Sequence, residues 1–564
     1  MFYKTTMEII NNIKTYRKHL PEYKDWNSEQ EHQQAKRIEY LKQNPDKINP
    51  EDIKRGLILL NAIDVMDEYS QSYAEDMEVA TELAKSQIAL LFTFVGTSLG
   101  AAAGFTKPVQ KAIRKLAGKG KGALLLTQLF PSIIGMTLGS VASLPAIMWA
   151  TKAQVSASRK GRFEAMNKDL KNPATFAVLT EEQQKKAEEI AKTIELEDQE
   201  KKRLEKKKSL SANPLEPIRT LKKYYSGTKE YNEQKQEFNN KIKESEKNFD
   251  RKLTEEEILK AKKDKQLLSQ IVRKIDLASQ DYAENTELAT NTLSALALSG
   301  GVLTGWVSNK LLKALKVGAG SKLTKIIPWF IGAAIPLTMN IYSSKVQKQA
   351  SRVGRFKAKQ EMLNNPQSFV YVDDKNSDKI DIKKPEEKKR PNIFKFFIQA
   401  LKDNKEYEKY RKTKAVEELK FNKALNQIEL TEQQKKDAEV LQMNVFKTFN
   451  KVDEKSQAYS ESVEALGQVA MESATNIGSL LATAYVSLSM MKDFSTMENV
   501  SMEKGILKML KKYIVPTVLV LIPVILLDIL TTKEQKKASR VADMQAIQEL
   551  DDYRHFAGYE AEKK

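Results

Sequence analysis

Six uncharged stretches interrupt a chain otherwise dense in Lys and Glu: Ile88 to Phe105 and Gly122 to Thr151, Ala289 to Asn309 and Ile326 to Ser344, Ser473 to Met491 and Tyr513 to Leu527. A helix of about 20 apolar residues matches the hydrocarbon thickness of a bilayer, and most of the six lie near that length. The pattern predicts membrane-inserted helices in pairs, the competing reading being helices buried in a large bundle. Trp149, Trp306 and Trp329 stand near stretch ends, where an amphipathic ring suits a membrane interface.

The polar chain between the stretches is repetitive. The word D-x-x-S-Q-x-Y-[AS]-E-x-x-E occurs three times: at Asp67, Ser70, Tyr73, Glu75 and Glu78; at Asp276, Ser279, Tyr282, Glu284 and Glu287; and at Asp453, Ser456, Tyr459, Glu461 and Glu464. Each copy follows an E-Y pair, Glu22-Tyr23, Glu230-Tyr231 or Glu406-Tyr407, at nearly constant distance. Each unit ends in K-x-Q-x-x-A-S-R, with arginines Arg159 and Arg162, Arg352 and Arg355, and Arg540. In the third unit the second arginine is replaced by Asp543, and the N-P-x-x-F that closes the first two (Asn172 to Phe176, Asn365 to Phe369) is missing.

These spacings predict an all-α integral membrane protein of three tandem helical-hairpin repeats with long helical stalks, arranged with pseudo-three-fold symmetry. The repeats are residues 1–190 (apolar runs 88–105, 122–151), 205–375 (runs 289–309, 326–344) and 385–564 (runs 473–491, 513–527). No apolar secretory core precedes the first run, so the bulk of the chain is expected in the cytoplasm.

Within each repeat the word lies on one helix face, since Asp67, Ser70, Gln71, Ala74 and Glu78 follow helical spacing. The expectation is a clasp: the word and the A-S-R helix run antiparallel, small residues allow close contact, and the glutamates meet the arginines of the same hairpin. A rival arrangement brings the three acidic faces together on an axis, as charge rings do in channels. Gly96, Gly100 and Gly104, Gly301 and Gly305, and Gly478 recur at four-residue spacing and predict close helix packing inside the membrane. Asp528, the carboxylate in "PVILLDILTTK", is the intramembrane candidate.

Composition narrows the chemistry. The chain has no Cys, which excludes thiol catalysis and cysteine metal sites, and its three His (His19, His32, His555) lack metal-ligand spacing. "AGKGKG" and "VGAGSK" lack the spacing and preceding strand of a phosphate loop. No cofactor is expected, and no nucleophile, base and orienter set supports an enzyme.

The net charge of +19 comes from Lys and Glu closely alternating without aromatic platforms, which argues against nucleic acid. Basic residues on both flanks of the hairpins (Lys107, Lys111, Arg114, Lys115 against Lys152, Arg159, Lys160, Arg162) leave orientation open and suggest anionic lipid as a partner. The functional expectation is a non-enzymatic membrane-embedded scaffold or membrane-shaping protein that associates through its stalks with copies of itself or with partners. The alternative is a channel or transporter with a six-helix membrane bundle.

Overall fold

The computed structural model describes residues 2–104, 106–117, 144–196, 252–314, 349–384, 392–452 and 537–557, with scattered positions at 232–242, 346, 455–463, 530 and 533–534. Every regular element among them is helical; no strand occurs among the described residues. The elements are α1 (Phe2–Gln43), α2 (Pro50–Gly104), α3 (Lys107–Ala117), α4 (Leu144–Asn167), α5 (Glu181–Thr193), α6 (Glu255–Ala314), α7 (349–364), α8 (Ile393–Leu425), α9 (432–452) and α10 (537–549).

Local chemistry sets many of the starts. In "LTEEQ", "LTEEE" and "LTEQQ", a threonine and the residue three positions on cap each other. Thr180 with Gln183, Thr254 with Glu257 and Thr431 with Gln434 each exchange side-chain and backbone hydrogen bonds, opening α5, α6 and α9. Asn392 accepts from the amides of Phe394 and Lys395 to start α8. Pro50 occupies the first turn of α2, where its missing N–H costs no hydrogen bond.

Tertiary packing follows a spacing hidden in the polar stretches. Leu59, Ile63 and Met66 lie eight, four and one residues before Asp67; Leu268, Val272 and Ile275 hold the same offsets from Asp276, and Val445, Phe449 and Val452 from Asp453. All nine belong to one buried core. Alternating steps of four and three residues keep such positions on one stripe of a helix, so α2, α6 and α9 meet along it. Three short 3-10 turns seal the same core with Phe176, Phe369 and Phe556, exposed by 1%, 0% and 3%.

The expectation of an integral membrane protein is corrected: among the described residues no helix is long and apolar enough to cross a membrane. The first two leading runs are the distal ends of α2 and α6, helices of 55 and 60 residues whose earlier turns are charged on one face and packed into the core on the other. The glycines Gly96, Gly100 and Gly104 lie on that end of α2, and Gly301 and Gly305 on that of α6. Val95 and Leu99 of α2 are exposed, at 44% and 66%. The runs 326–344, 473–491 and 513–527, most of 122–151, and with them Asp528 and Gly478, lie outside the described residues.

Candidate functional site

The repeated words come together on the helices that carry them. Ser70 on α2 shares a hydrogen bond of 2.6 Å with Ser158 on α4, and Ser279 on α6 shares one of 2.5 Å with Ser351 on α7. Lower on each pair a glycine meets backbone: a Cβ on Gly161 would stand 2.5 Å from the Tyr69 carbonyl oxygen, and one on Gly354 2.5 Å from that of Ala278. Such approach is open only to a residue without a side chain. Along α4, Ala157, Gly161 and Arg162 meet successively earlier residues of α2, so the two helices run antiparallel. Tyr73 hydrogen-bonds Glu164, also on α4.

The arginines form contacts that sequence reasoning had not placed. Arg162 reaches Asp67 at 3.5 Å within its own hairpin. Arg355 crosses from the second unit to the same Asp67 at 3.3 Å. Arg352 donates to Gln71 Oε1 at 2.6 Å, and Gln71 Nε2 donates to Ser351 at 3.2 Å. The same pair recurs one unit on: Arg540 donates to Gln280 Oε1 at 3.0 Å, and Gln280 Nε2 donates to Ser539 at 3.3 Å. Arg540 also pairs with exposed Asp281 at 2.5 Å. Beside the pairing of Arg162 with Asp67 inside one hairpin, Arg352, Arg355 and Arg540 thus also join neighbouring units. Arg159 is half-buried on α4, and Glu284 and Glu287 are half-buried on α6. The side chains of Glu75 and Glu78, and residues Asp453, Ser456, Glu461 and Glu464, lie outside the described residues.

Where the units converge, carboxylates face one another. Burial, and then the charge of Asp67, pushes Asp276 up from 3.8 to about 6, against the pull of Arg162 and Arg355. Asp543, which occupies the place of the second arginine, is raised well above the usual range by burial and by Asp276, against Arg162 and Arg540. The centre therefore holds Asp67, Asp276 and Asp543 among three arginines. Deeper in the core, Arg55 forks onto Asp264 at 2.5 and 2.7 Å, and Asn444 donates to the same carboxylate at 3.1 Å.

Helices upstream of each word brace a neighbouring hairpin. Tyr407 of α8 packs with Tyr282, Ala350 and Phe356 of the second unit, where Tyr282 donates to Asp403 at 2.7 Å. Tyr16 and Tyr23 of α1 pack with Tyr459, Ala538 and Val541 of the third unit; Tyr16 donates to Glu534 at 2.7 Å and Asn12 to Ser462 at 2.9 Å. Phe238, from the stretch preceding the second word, lies 6.0 Å from Phe163 and 6.0 Å from Phe446.

Two details escaped the sequence pattern. The third unit closes as the others do, with Asp552 accepting from the Arg554 amide as Asn172 accepts from that of Ala174, and Phe556 taking the place of Phe176 and Phe369. The signal was an Asx residue four before a Phe, one residue nearer the arginine than in the other units. Lys359, buried between Asp64 at 2.5 Å and Glu418 at 3.1 Å, has no counterpart in the other two units, which carry Met166 and Ile547 there. Burial alone would lower its ammonium pKa, but the two carboxylates outweigh it and hold it above the ordinary value.

In comparison with known proteins, no protein-family model matches this chain, and no curated protein or solved structure matches it either.

Proposed function

We propose that the chain is a non-enzymatic structural scaffold in which three units, 1–190, 205–375 and 385–564, close into a pseudo-three-fold ring and present long helical arms from a common base. The carrying observation is the cyclic order of the contacts. The first word meets the second unit's A-S-R helix through Gln71, and the second word meets the third's through Gln280. The upstream helix of the third unit braces the second hairpin, and α1 of the first braces the third. A linear array would leave its first and last units unpaired; here α1 joins them across 518 residues of sequence. The arms follow from length, since 55 residues of helix span about 80 Å, and Val95 and Leu99 near the distal end of α2 are exposed. A channel reading needs spanning helices and is not carried forward.

The absence of Cys makes the seam testable. The pair Asn12→Cys and Ser462→Cys, on side chains now 2.9 Å apart, is expected to form an intramolecular disulfide in dilute oxidised protein and to leave a monomer by sedimentation. Cross-linked dimers, or thiols that stay free, would show that the ring does not close within one chain.

A further inference from the structure

The distal end of α2 is built unlike its base. No charged residue stands between Lys85 and Lys107, and no acidic residue between Glu82 and Glu164. Val95 and Leu99 are exposed there, and Ser98, Ala102 and Ala103 are exposed with them. Steps of three and four residues put all five on one stripe of the helix. The base of α2 buries its apolar stripe of Leu59, Ile63 and Met66 in the core, whereas the arm turns its own to the outside.

Beyond this stripe the chain passes directly into α3. The Thr106 amide donates to the Ala103 carbonyl and the Gln110 amide to that of Thr106, each at 3.0 Å. Pro108 stands in the first turn of α3, where its missing N–H costs no hydrogen bond. The sequence of α3 sorts its residues by chemistry: Val109, Ala112, Ile113 and Leu116 follow helical spacing on one face, while Lys107, Lys111, Arg114 and Lys115 fall on the opposite one. Lys107, Lys111 and Lys115 are exposed. The second arm ends in the same way. Residues 288 to 309 of α6 carry no charge and include Trp306, Lys310 and Lys313 follow, and no acidic residue occurs between Glu287 and Glu361.

An exposed apolar stripe joined to an acid-free cationic helix selects its partner by charge and polarity together. A second copy of this chain would bring like charges against one another, at a net +19 per chain. A nucleic acid would neutralise the lysines and leave the apolar stripe in water. An anionic bilayer surface satisfies both features. A helix with a basic polar face lies in the plane of the interface with its apolar face about 5–10 Å into the headgroup boundary, and each nearby Lys or Arg adds attraction to an anionic leaflet. Depth agrees with contact on one side. The stripe from Val95 to Ala103 is about 12 Å long, less than half of the ~30 Å hydrocarbon core, so docking requires no helix that crosses, and none does so among the described residues.

We infer that the tip of the first arm, the stripe of Val95, Leu99, Ala102 and Ala103 together with α3, docks onto one face of an anionic phospholipid bilayer without crossing it. The cations of α3 meet the lipid phosphates and carboxylates, and the apolar stripe meets the acyl chains beneath them. This goes beyond the scaffold reading and does not depend on it, since ring closure is read by the cysteine pair at residues 12 and 462 and docking by lipid binding.

The test is flotation of the full chain with vesicles of phosphatidylcholine alone and of phosphatidylcholine mixed with phosphatidylserine. Binding to the mixed vesicles is expected to be at least tenfold tighter than to the neutral ones and to fall as salt is raised. Lys111→Glu with Lys115→Glu should weaken it at least tenfold and Leu99→Ser at least threefold. The same two charge reversals away from the tip, Lys47→Glu with Lys192→Glu, should change it less than threefold. All five side chains are exposed, so helical content and unfolding temperature should stay those of the parent chain. Equal binding to both vesicles would remove the role of lipid charge, and equal losses in the tip and base variants would assign binding to net charge alone. No binding to either vesicle would give the tip to another occupant, a second copy if sedimentation shows dimers; each of these results overturns the inference.

Discussion

Substituting Gly161 by Ala probes one of the close helix approaches among the described residues. Its added methyl would stand 2.5 Å from the Tyr69 carbonyl oxygen and 2.9 Å from the Ser70 Cα, where ordinary contact begins near 3.4 Å. Both obstacles are backbone inside a packed helix, so no rotamer change relieves the clash. α4 must retreat from α2 by about 1 Å, and the Ser70–Ser158 bond of 2.6 Å stretches beyond hydrogen-bonding range. Overpacking costs about 1–3 kcal/mol and the lost bond about 1 kcal/mol. Against this, Ala gains about 1 kcal/mol over Gly in a helix interior. The net expectation is a loss of about 2 kcal/mol, read as a lower urea midpoint at unchanged slope. The third unit supplies the control, because Ala542 already occupies this position there, fully buried. Ala542→Gly should lose about 1 kcal/mol through helix propensity and about 0.8 kcal/mol more through its buried methyl. A Gly161→Ala chain as stable as the parent, or more so, would refute the claim that glycine sets the separation of these helices.

Phe369→Ala should lose about 3–5 kcal/mol, because the ring is fully buried against the bare face of Gly56. Gly56→Ala, whose methyl would meet that ring at 2.5 Å, should be destabilising in the parent and nearly harmless in the Phe369→Ala background, a coupling that a double-mutant cycle measures. Asp276 carries the pH dependence: its carboxyl is raised from 3.8 to about 6 among Asp67, Asp543, Arg162 and Arg355, so the folded state holds a proton that the unfolded chain releases earlier. Stability from this group is present below about pH 4 and is lost as pH rises through about 6. Asp276→Asn should therefore gain up to about 3 kcal/mol at pH 7.5 and nothing at pH 4; an equal gain at both, from urea midpoints, would refute it.

The helical class was legible because the Lys/Glu-rich composition, the capping threonines and the scarcity of Gly and Pro in the words leave the backbone no other regular choice. The antiparallel contact of the first two words with their A-S-R helices was legible too, since Ala157 and Ser158 or Ala350 and Ser351 are too small to hold helices apart. The core was overlooked for a physical reason. Leu59, Ile63 and Met66 are separated by polar residues, and their step pattern is short enough to be hidden beside the long apolar runs, which drew the reading toward a membrane. Partner choice was not legible at all. Arg355 can reach an acid on its own hairpin or on the next, and its contact with Asp67 is a long-range pairing that no local pattern encodes.

Joining three units in one chain permits what a symmetric trimer cannot have. In a homotrimer every copy would carry an arginine at the place of Arg162 and Arg355, and each central aspartate would have the same neighbours. With Asp543 there instead, burial and the facing Asp276 hold the Asp543 carboxyl well above the usual range. The same interface carries Trp26 and Ile547 in place of Tyr410 and Lys359 and has lost its cavity. Removing a cation from beside buried acids leaves their charge less compensated, and the indole of Trp26 lines the small cleft next to them. The cleft at the corresponding place between α2, α7 and α8 retains its arginine, Arg355, paired with Asp67 at 3.3 Å, and its space. The reversal of charge at residue 543 and the indole of Trp26 thus separate the nearly filled cleft from the open one.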